Sequence, residues 1–513
     1  MRGARSTARL LGSLLATAML TACVGGDVRG DESPEAIEAA LARARQTSVF
    51  GPPTDFQASA FDDVGHTELY PVRPPGECEI AVPRFGEDSF AVRLDALKRA
   101  RRSIRIQALI FKGDETGLRI AEVLKQKKAE GLDVRVIVDA FSNPWLQTQW
   151  MLFDLKQHGI EVQGYEALFL QWINEVPIPK AMPHFDPARP DKRFHEKLWI
   201  IDGEMPDGMA VTGGLNIGNE YFRADPGHPS GYWRDQDVAV RGAVVGDLVA
   251  AFDGNFEYLV AIKKSRGILD TDLYWGATRA VLDHTGRFPV RFRTEPRLVE
   301  RVARMERSVP RLEYAPSRCR FLHSRPRMQE GYIREAYLKL IENAERELLI
   351  ANAYFVPTAD IRGALRDAVT RCVAVTLVTN SPQTNDLPEI SLVGRGHYRE
   401  LLSYNDDPRV ARCKQPDAGL RIWEWTGRSR DGREPRYGTM HSKFAVVDRR
   451  FSLAGSFTLD PRSARLNSET AIAFENPVLA QRLARSILEY DLLFSRPVSA
   501  GDAAGFEGPR ATV

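Results

Sequence analysis

Apolar positions recur along this chain with two periods that alternate. "SFAVRLDALKRA" (89–100) has helical spacing and "SIRIQALIF" (103–111) reads as a strand. "TGLRIAEVLKQKKAEG" (116–131) predicts a helix ending at Gly131, and "DVRVIVDA" (133–140) a second strand. A helix between two strands is a β-α-β unit, whose strands run parallel. The order returns after residue 330. There the helix "YIREAYLKLIENAE", the strand "ELLIANAYF", the helix "DIRGALRDAVTRC" and the strand "VAVTLVTN" precede a short strand, "LRIWEW" (420–425). Gln107 and Tyr354 take matching places in the two runs. The pattern predicts a duplicated α/β fold of two pseudo-symmetric halves, each a mixed β-sheet flanked by helices.

Each half also holds a strand with polar residues at fixed offsets, "HEKLWIID" (195–202) and "HSKFAVVD" (441–448). Side chains alternate along a strand, so His195 and Lys197 share a face, as do His441 and Lys443. Asp202 and Asp448 point the other way and read as structural groups near the strand end. One H-x-K arises by chance. Two copies of H-x-K-x-x-x-x-D, each followed by a glycine-bearing turn, do not. The turns are "GGLN" (213–216) and "GSFT" (455–458), which offer backbone N–H groups and an Asn or Ser side chain to an anion.

Two imidazoles, two ammonium groups and several N–H donors converging on one point suit a phosphodiester. The cations neutralise the charge developing on the non-bridging oxygens, so the chemistry calls for no divalent metal. One histidine can attack phosphorus while the other protonates the leaving alcohol, which requires one ring neutral and one cationic. Each ring also needs a carboxylate on its other nitrogen to fix its tautomer. The candidates in matching contexts are Asp237 in "WRDQDVAV" and Glu469 in "LNSETAIA".

Composition changes this picture little. The 513 residues are 43% hydrophobic and 27% charged, with a net charge of +2, as in ordinary globular chains. The first 22 residues carry three arginines and no acid, so the remainder is near −1, which argues against a bulk nucleic-acid binder. That leader has a basic start, "MRGARSTAR", and an apolar run, "LLGSLLATAML", too short to span a bilayer. It reads as a secretory signal. A tether and N-terminal helical and linker segment then fill 23–85, the first half 86–320, and the second 321–513. Cys78, Cys319, Cys372 and Cys413 fit no zinc spacing and are either free thiols or up to two disulfides in any of three pairings. Residues 291–327 hold eleven arginines against four glutamates. They are a solvated helix and linker, or a site for anionic headgroups. Between Asp139 and His195, Trp145, Trp150, Leu168, Phe169, Leu170 and Trp172 cluster. "ALFLQW" within that stretch is either core or a segment dipping into a membrane interface.

The chain resembles the phospholipase D superfamily, defined by paired H-x-K-x-x-x-x-D motifs. More narrowly it resembles the bacterial cardiolipin synthase branch, especially the C type. "RFHEKLWIID", "VTGGLNIGNEYF", "YFVP", "VTNS" and "GSFTLDPRSARLNSE" carry the likeness from about 90 to 490. "LTAC" (20–23) resembles the bacterial lipobox, which implies lipidation of Cys23 and a globular body anchored on the periplasmic side of a membrane. The resemblance implies an active site at the interface of the halves, with His195, Lys197, Asp202, His441, Lys443 and Asp448 as its catalytic motif. It also implies a phosphatidyl-histidine intermediate, with His195 favoured as nucleophile and His441 as the alternative. Lys197, Lys443, Asn216 and Ser456, with Gly214 and Thr458 in the same turns, would hold phosphate. Asp237 and Glu469 would orient the histidines. The implied reaction moves a phosphatidyl group from one phospholipid to the headgroup alcohol of another, with no cofactor. Its partners are phosphatidylglycerol, phosphatidylethanolamine or cardiolipin-type lipids, and not nucleic acid. Three departures stand out. Ten residues separate Asp202 from Gly213 but six separate Asp448 from Gly455, which implies a longer hairpin in the first half. Thr458 stands where Asn is common, and Gly214 stands opposite Ser456. A phospholipid hydrolase, a secreted nuclease and a non-catalytic lipid-binding protein are the competing expectations.

Overall fold

The computed structural model describes residues 70–506, apart from 140–141, 166–192, 228–230, 267–290, 327–329, 416 and 430–436. The leader, Cys23, the tether and "ALFLQW" lie outside the described residues. In the first half, β1 (Glu79–Ala81) leads into α1 (Gly86–Arg99), β2 (Ser103–Ala108), α2 (Glu115–Ala129), β3 (Asp133–Asp139), α3 (Leu146–Gln157) and β4 (Glu161–Tyr165). Then come β5 (Leu198–Ile201), β6 (Met209–Gly213), β7 (Tyr232–Arg234), β8 (Asp237–Arg241), α4 (Val244–Arg266), α5 (Pro296–Arg307) and β9 (Ala315–Pro316). The second half holds β10 (Arg318–Ser324), α6 (Tyr332–Asn343), β11 (Glu347–Asn352), α7 (Ala359–Thr370), β12 (Ala374–Asn380) and β13 (Gly419–Trp425). β14 (Tyr437–Met440), β15 (Lys443–Val447), β16 (Phe451–Gly455), β17 (Glu469–Glu475), α8 (Pro477–Arg485) and β18 (Ser495–Pro497) follow.

The strands form two eight-stranded sheets, ordered β4-β3-β2-β5-β6-β8-β1-β9 and β10-β17-β16-β15-β11-β12-β13-β18. Read from opposite ends the two orders superpose, with β9 and β18 as extra edge strands. β2 runs parallel to β3, and β11 to β12, as the β-α-β patterns predict. Each motif strand lies antiparallel beside that unit near the middle of its sheet. The register corrects one sequence match. Gln107 opposes Leu198 and Ala351 opposes Phe444, so Ala351 is the counterpart of Gln107, and Tyr354 lies beyond the strand.

Burial on both faces of each sheet explains why these strands read as near-continuous apolar runs. One core packs α1, α2 and α3 on the outer face of the first sheet, through Leu94, Leu124 and Leu155 against Ile106 and Val136. A second packs α6 and α7 on the other sheet, through Leu340 and Leu365 against Ile350 and Val375. The central core belongs to both halves. Leu198 and Ile200 meet Phe444 and Val446 within it, together with Phe252 of α4 and Leu483 of α8. The sheets move two expected boundaries, because β1 brings residues before 86 into the first half and β10 starts the second half before 321. Two disulfides add covalent ties. Cys78–Cys319 therefore joins the halves across a sequence separation of 241, and Cys372–Cys413 closes a separation of 41 within the second half.

The longer bridge constrains more of the unfolded chain and should stabilise by about 2–5 kcal/mol. Cys78→Ser with Cys319→Ser should therefore lower the urea midpoint more than Cys372→Ser with Cys413→Ser. Non-reducing peptide mapping should recover both cross-links.

Candidate active site

The site is assembled by backbone pairing between halves. Just before the first histidine, Phe194 bridges Ser468, and the His195 N–H donates to the Ser468 carbonyl at 2.9 Å. Just before the second, β14 runs parallel to β7, and the His441 N–H donates to the Arg234 carbonyl at 2.6 Å. Each histidine is thus laid beside the other half's acidic segment. His195 Nδ1 donates to Glu469 Oε2 at 2.8 Å, and His441 Nδ1 lies 2.7 Å from Asp235 Oδ2. Lys197 Nζ donates to the His195 carbonyl at 2.6 Å, and Lys443 Nζ to that of His441. The threonines at the seam, Thr212 and Thr470, lie 3.3 Å apart through their hydroxyls. All of these groups are buried.

The sequence reading of Asp237 is corrected by this geometry. Asp235 falls between β7 and β8 and not within a strand, so alternation does not choose between it and Asp237. Helix α1 decides. Arg93 Nη1 lies 2.7 Å from Asp237 Oδ2 and Ser89 Oγ donates to the same oxygen at 2.6 Å, which holds Asp237 away from either imidazole. Asp235 is left for His441. A Cβ at residue 214 would stand 2.0 Å from Asp235 Oδ1, so glycine there leaves room for the carboxylate. In the second half the corresponding position is Ser456, whose hydroxyl donates to Glu469 Oε2 at 2.5 Å.

The other motif residues divide by place. Asp202 and Asp448, grouped above with the catalytic motif, sit at the far ends of their strands in left-handed backbone with φ near 50°. Asp202 accepts from the N–H groups of Arg101, Arg102 and Ser103 at 2.7–3.1 Å. Asp448 accepts from Glu345, Arg346 and Glu347 at 2.8–3.0 Å. They pin β5 to β2 and β15 to β11, and take no place beside the imidazoles. The turn residues expected to face phosphate are engaged within the protein. The Gly214 N–H donates to Gln236 and the Ser456 N–H to Thr470. Asn216 accepts from the Ile110 N–H and donates to the Tyr221 hydroxyl. The Thr458 hydroxyl is paired with Asp460 and with Ser463. The turns brace the acids, and the lysines and imidazoles supply the positive charge.

Burial is the main electrostatic force here, and it acts unequally. It lowers both histidines, but His441 falls well below 6.5 because Lys443, Lys197 and His195 add their charges. Lys443 Nζ also lies 2.9 Å from His441 Nδ1. His195 is lowered by burial against the opposing pull of Glu469. Burial pushes Asp235 up to about 6. Burial also raises Glu469, but His195, Lys197 and the Ser456 hydroxyl outweigh it and leave Glu469 below its usual range. Burial, with help from Lys443, brings Lys197 down to about 7. Of the two motif histidines, only His441 is walled by aromatic rings among the described residues, a feature that the motifs did not announce. Trp233, Tyr221 and Tyr354 have centroids 5.1, 5.7 and 6.0 Å from its ring.

Two buried rings of unequal basicity each have a carboxylate beside Nδ1, and at His441 Lys443 Nζ shares that position. Asp235→Asn should lower kcat on a phosphodiester by about 10²–10⁴-fold with melting little changed. Asp237→Asn should instead strand the buried Arg93 and cost about 3–5 kcal/mol of stability. Melting curves and turnover of the two variants separate these outcomes. On the alkaline side, kcat/KM should fall above pH 7 as Lys197 loses its proton. Lys197→Arg, slower at pH 6, should carry that limb upward by at least one pH unit in a pH 5–9 profile.

A family model described as cardiolipin synthase, PLD-like domain, matches residues 94–226 and 337–490, one stretch in each half and together more than half of the chain. The cardiolipin synthase of Geobacillus thermodenitrificans (strain NG80-2) is 26% identical over 394 residues, covering 76% of this chain and 62% of that protein. The major cardiolipin synthase ClsA of Bacillus subtilis (strain 168) is 28% identical over 419 residues, covering 80% and 68%. The chain thus spans about three fifths of the length of the first of these relatives. Among solved structures, phosphatidylserine synthase of Haemophilus influenzae Rd KW20 shares the fold. Its TM-score is 0.54 at 16% identity, over 82% of this chain and 90% of that one. Both histidine motifs fall inside the matched stretches, and the chain belongs to the phospholipase D-like family of cardiolipin synthase domains.

Proposed function

We propose that the protein is a cardiolipin synthase-like phosphatidyltransferase. It moves a phosphatidyl group from one phospholipid to the headgroup hydroxyl of another. The observation that carries this reading is the pair of crossed histidine–carboxylate contacts with a lysine beside each ring. A neutral imidazole attacks phosphorus through Nε2. The N–P bond forms as the bond from phosphorus to the headgroup oxygen breaks. The opposite imidazolium gives its proton to that oxygen and the first alcohol departs. The same ring, now neutral, takes the proton of the incoming hydroxyl. The new P–O bond forms, the N–P bond breaks, and both rings return to their starting states. Lys197 and Lys443 hold the non-bridging oxygens throughout. One diester replaces another, so the exchange needs no nucleotide. The relatives named cardiolipin synthase support this choice of reaction.

The charge distribution favours His441 as nucleophile and His195 as acid, the reverse of the order drawn from the family. His441 resists protonation most, and His195 faces the carboxylate that stays ionised. The leader ending at Cys23 supports a lipid-anchored protein, and two disulfides support an oxidising, periplasm-like compartment. Among the described residues no helix is long and apolar enough to cross a membrane.

Incubation with phosphatidylglycerol, with phosphatidylethanolamine, and with the pair, followed by chromatography, tests the reaction. Cardiolipin is expected. Phosphatidic acid alone would replace transfer with hydrolysis. A nitrophenyl phosphodiester, whose leaving group needs no acid, tests the roles. His195→Ala should keep the burst and a phosphoryl adduct on the His441 peptide, and His441→Ala should lose both.

A further inference from the structure

We propose that the rim bearing Trp145, Leu146, Arg291 and Arg293 is a docking face for an anionic lipid bilayer. The inference rests on the phospholipid reading above and adds a site to it. Trp145 and Leu146 stand side by side at the start of α3, and 45% and 63% of their surfaces face solvent. Single exposed apolar residues are unremarked features of any soluble surface. This pair differs because it is framed by cations. Lys112 Nζ lies 5.0 Å over the Trp145 ring. The next residue, Gln147, donates from Nε2 to the Arg293 carbonyl and accepts at Oε1 from the Arg293 N–H, both at 2.9 Å. That two-way amide contact stitches the exposed segment carrying Arg291 and Arg293 alongside the apolar tip. An indole and a leucine that can enter the headgroup layer, beside guanidinium groups that meet anionic phosphates, match the chemistry of a charged bilayer surface. The excess of arginine over glutamate in this stretch, left open by the sequence, thereby acquires a use at its N-terminal end.

The patch is linked to the chemistry by a short chain of contacts. Lys112 pairs with Glu220, whose carbonyl accepts from the Trp233 N–H at 3.1 Å, and the Trp233 ring lies against His441. Asn143, two residues before Trp145, accepts from the Phe111 N–H at 2.7 Å. It thereby ties the loops that leave β2 and β3 on the same edge of the sheet. The docking face is thus connected to the His441 ring through Lys112, Glu220 and Trp233.

The test uses the full chain with Cys23→Ala, so that no acyl chain contributes, and vesicles of phosphatidylcholine alone or with phosphatidylglycerol. Co-sedimentation should favour the phosphatidylglycerol vesicles and weaken with salt. Trp145→Asp with Leu146→Asp should reduce partitioning at least tenfold. Arg291→Gln with Arg293→Gln, which disturbs no buried group, should reduce it several-fold and keeps the test valid if the first variant misfolds. Equal partitioning of parent and variants, or no preference for anionic vesicles, overturns the proposal. On a short-chain phospholipid below its micellar concentration both variants should turn over like the parent, while turnover on vesicles falls with binding. Loss of turnover on every substrate by the parent would instead count against the transferase reading, and the sedimentation result would still decide this one.

Discussion

Everything in this structure that bears on chemistry depends on one constraint. Each motif imidazole takes its carboxylate from the opposite half. His195 reaches Glu469 and His441 reaches Asp235 because short parallel pairings cross the seam immediately before each histidine. Neither motif histidine meets its acid within its own half. The shared apolar core and the Cys78–Cys319 bridge therefore do more than add stability, because they preserve the alignment on which both tautomers depend.

Putting two lysines, two histidines and two acids in a buried seam is costly, and the cost appears as displaced proton affinities. Burial pulls Lys197 down to about 7 and lifts Asp235 to about 6. Such groups are poised close to neutrality, which suits proton exchange with a substrate and leaves room for an incoming anionic phosphodiester to restore charge balance. The inequality between the halves has a traceable origin. Glu469 is long and braced by the Ser456 and Ser463 hydroxyls, whereas Asp235 is short and fills the space that Gly214 leaves open. Aromatic rings close around His441 and deepen its desolvation. A nearly symmetric frame thus yields two chemically different imidazoles, as a mechanism needing one base and one acid requires.

The repeated aspartates show how a motif residue can serve the site without touching it. Asp202 and Asp448 each take three backbone N–H groups in the turn before the neighbouring strand. Their left-handed backbone is one that aspartate tolerates better than most residues. They fix the register of the motif strand against β2 and β11, and register decides which face the histidine and lysine occupy.

The duplicated β-α-β units, the paired strands and the identity of the histidines and lysines could be read from the chain alone, because alternation and helical spacing are local properties. Alternation also carried the aspartates' separation from the imidazoles, since seven positions along a strand reverse the face. It could not separate Asp235 from Asp237, because Asp235 lies in the break between two strands. That choice belongs to Arg93 and Ser89, brought from a helix far away in sequence. Nor could it foresee that Ser456 and Thr458 would spend their hydroxyls on carboxylates, or that Tyr354 would stand over His441. The cysteine spacing left three pairings open, and sheet packing selected two bridges. Local pattern determined which residues could do chemistry. Only the docking of one half on the other determined which acid meets which ring, because hydrogen-bond partners are set by distances that no spacing along the chain contains.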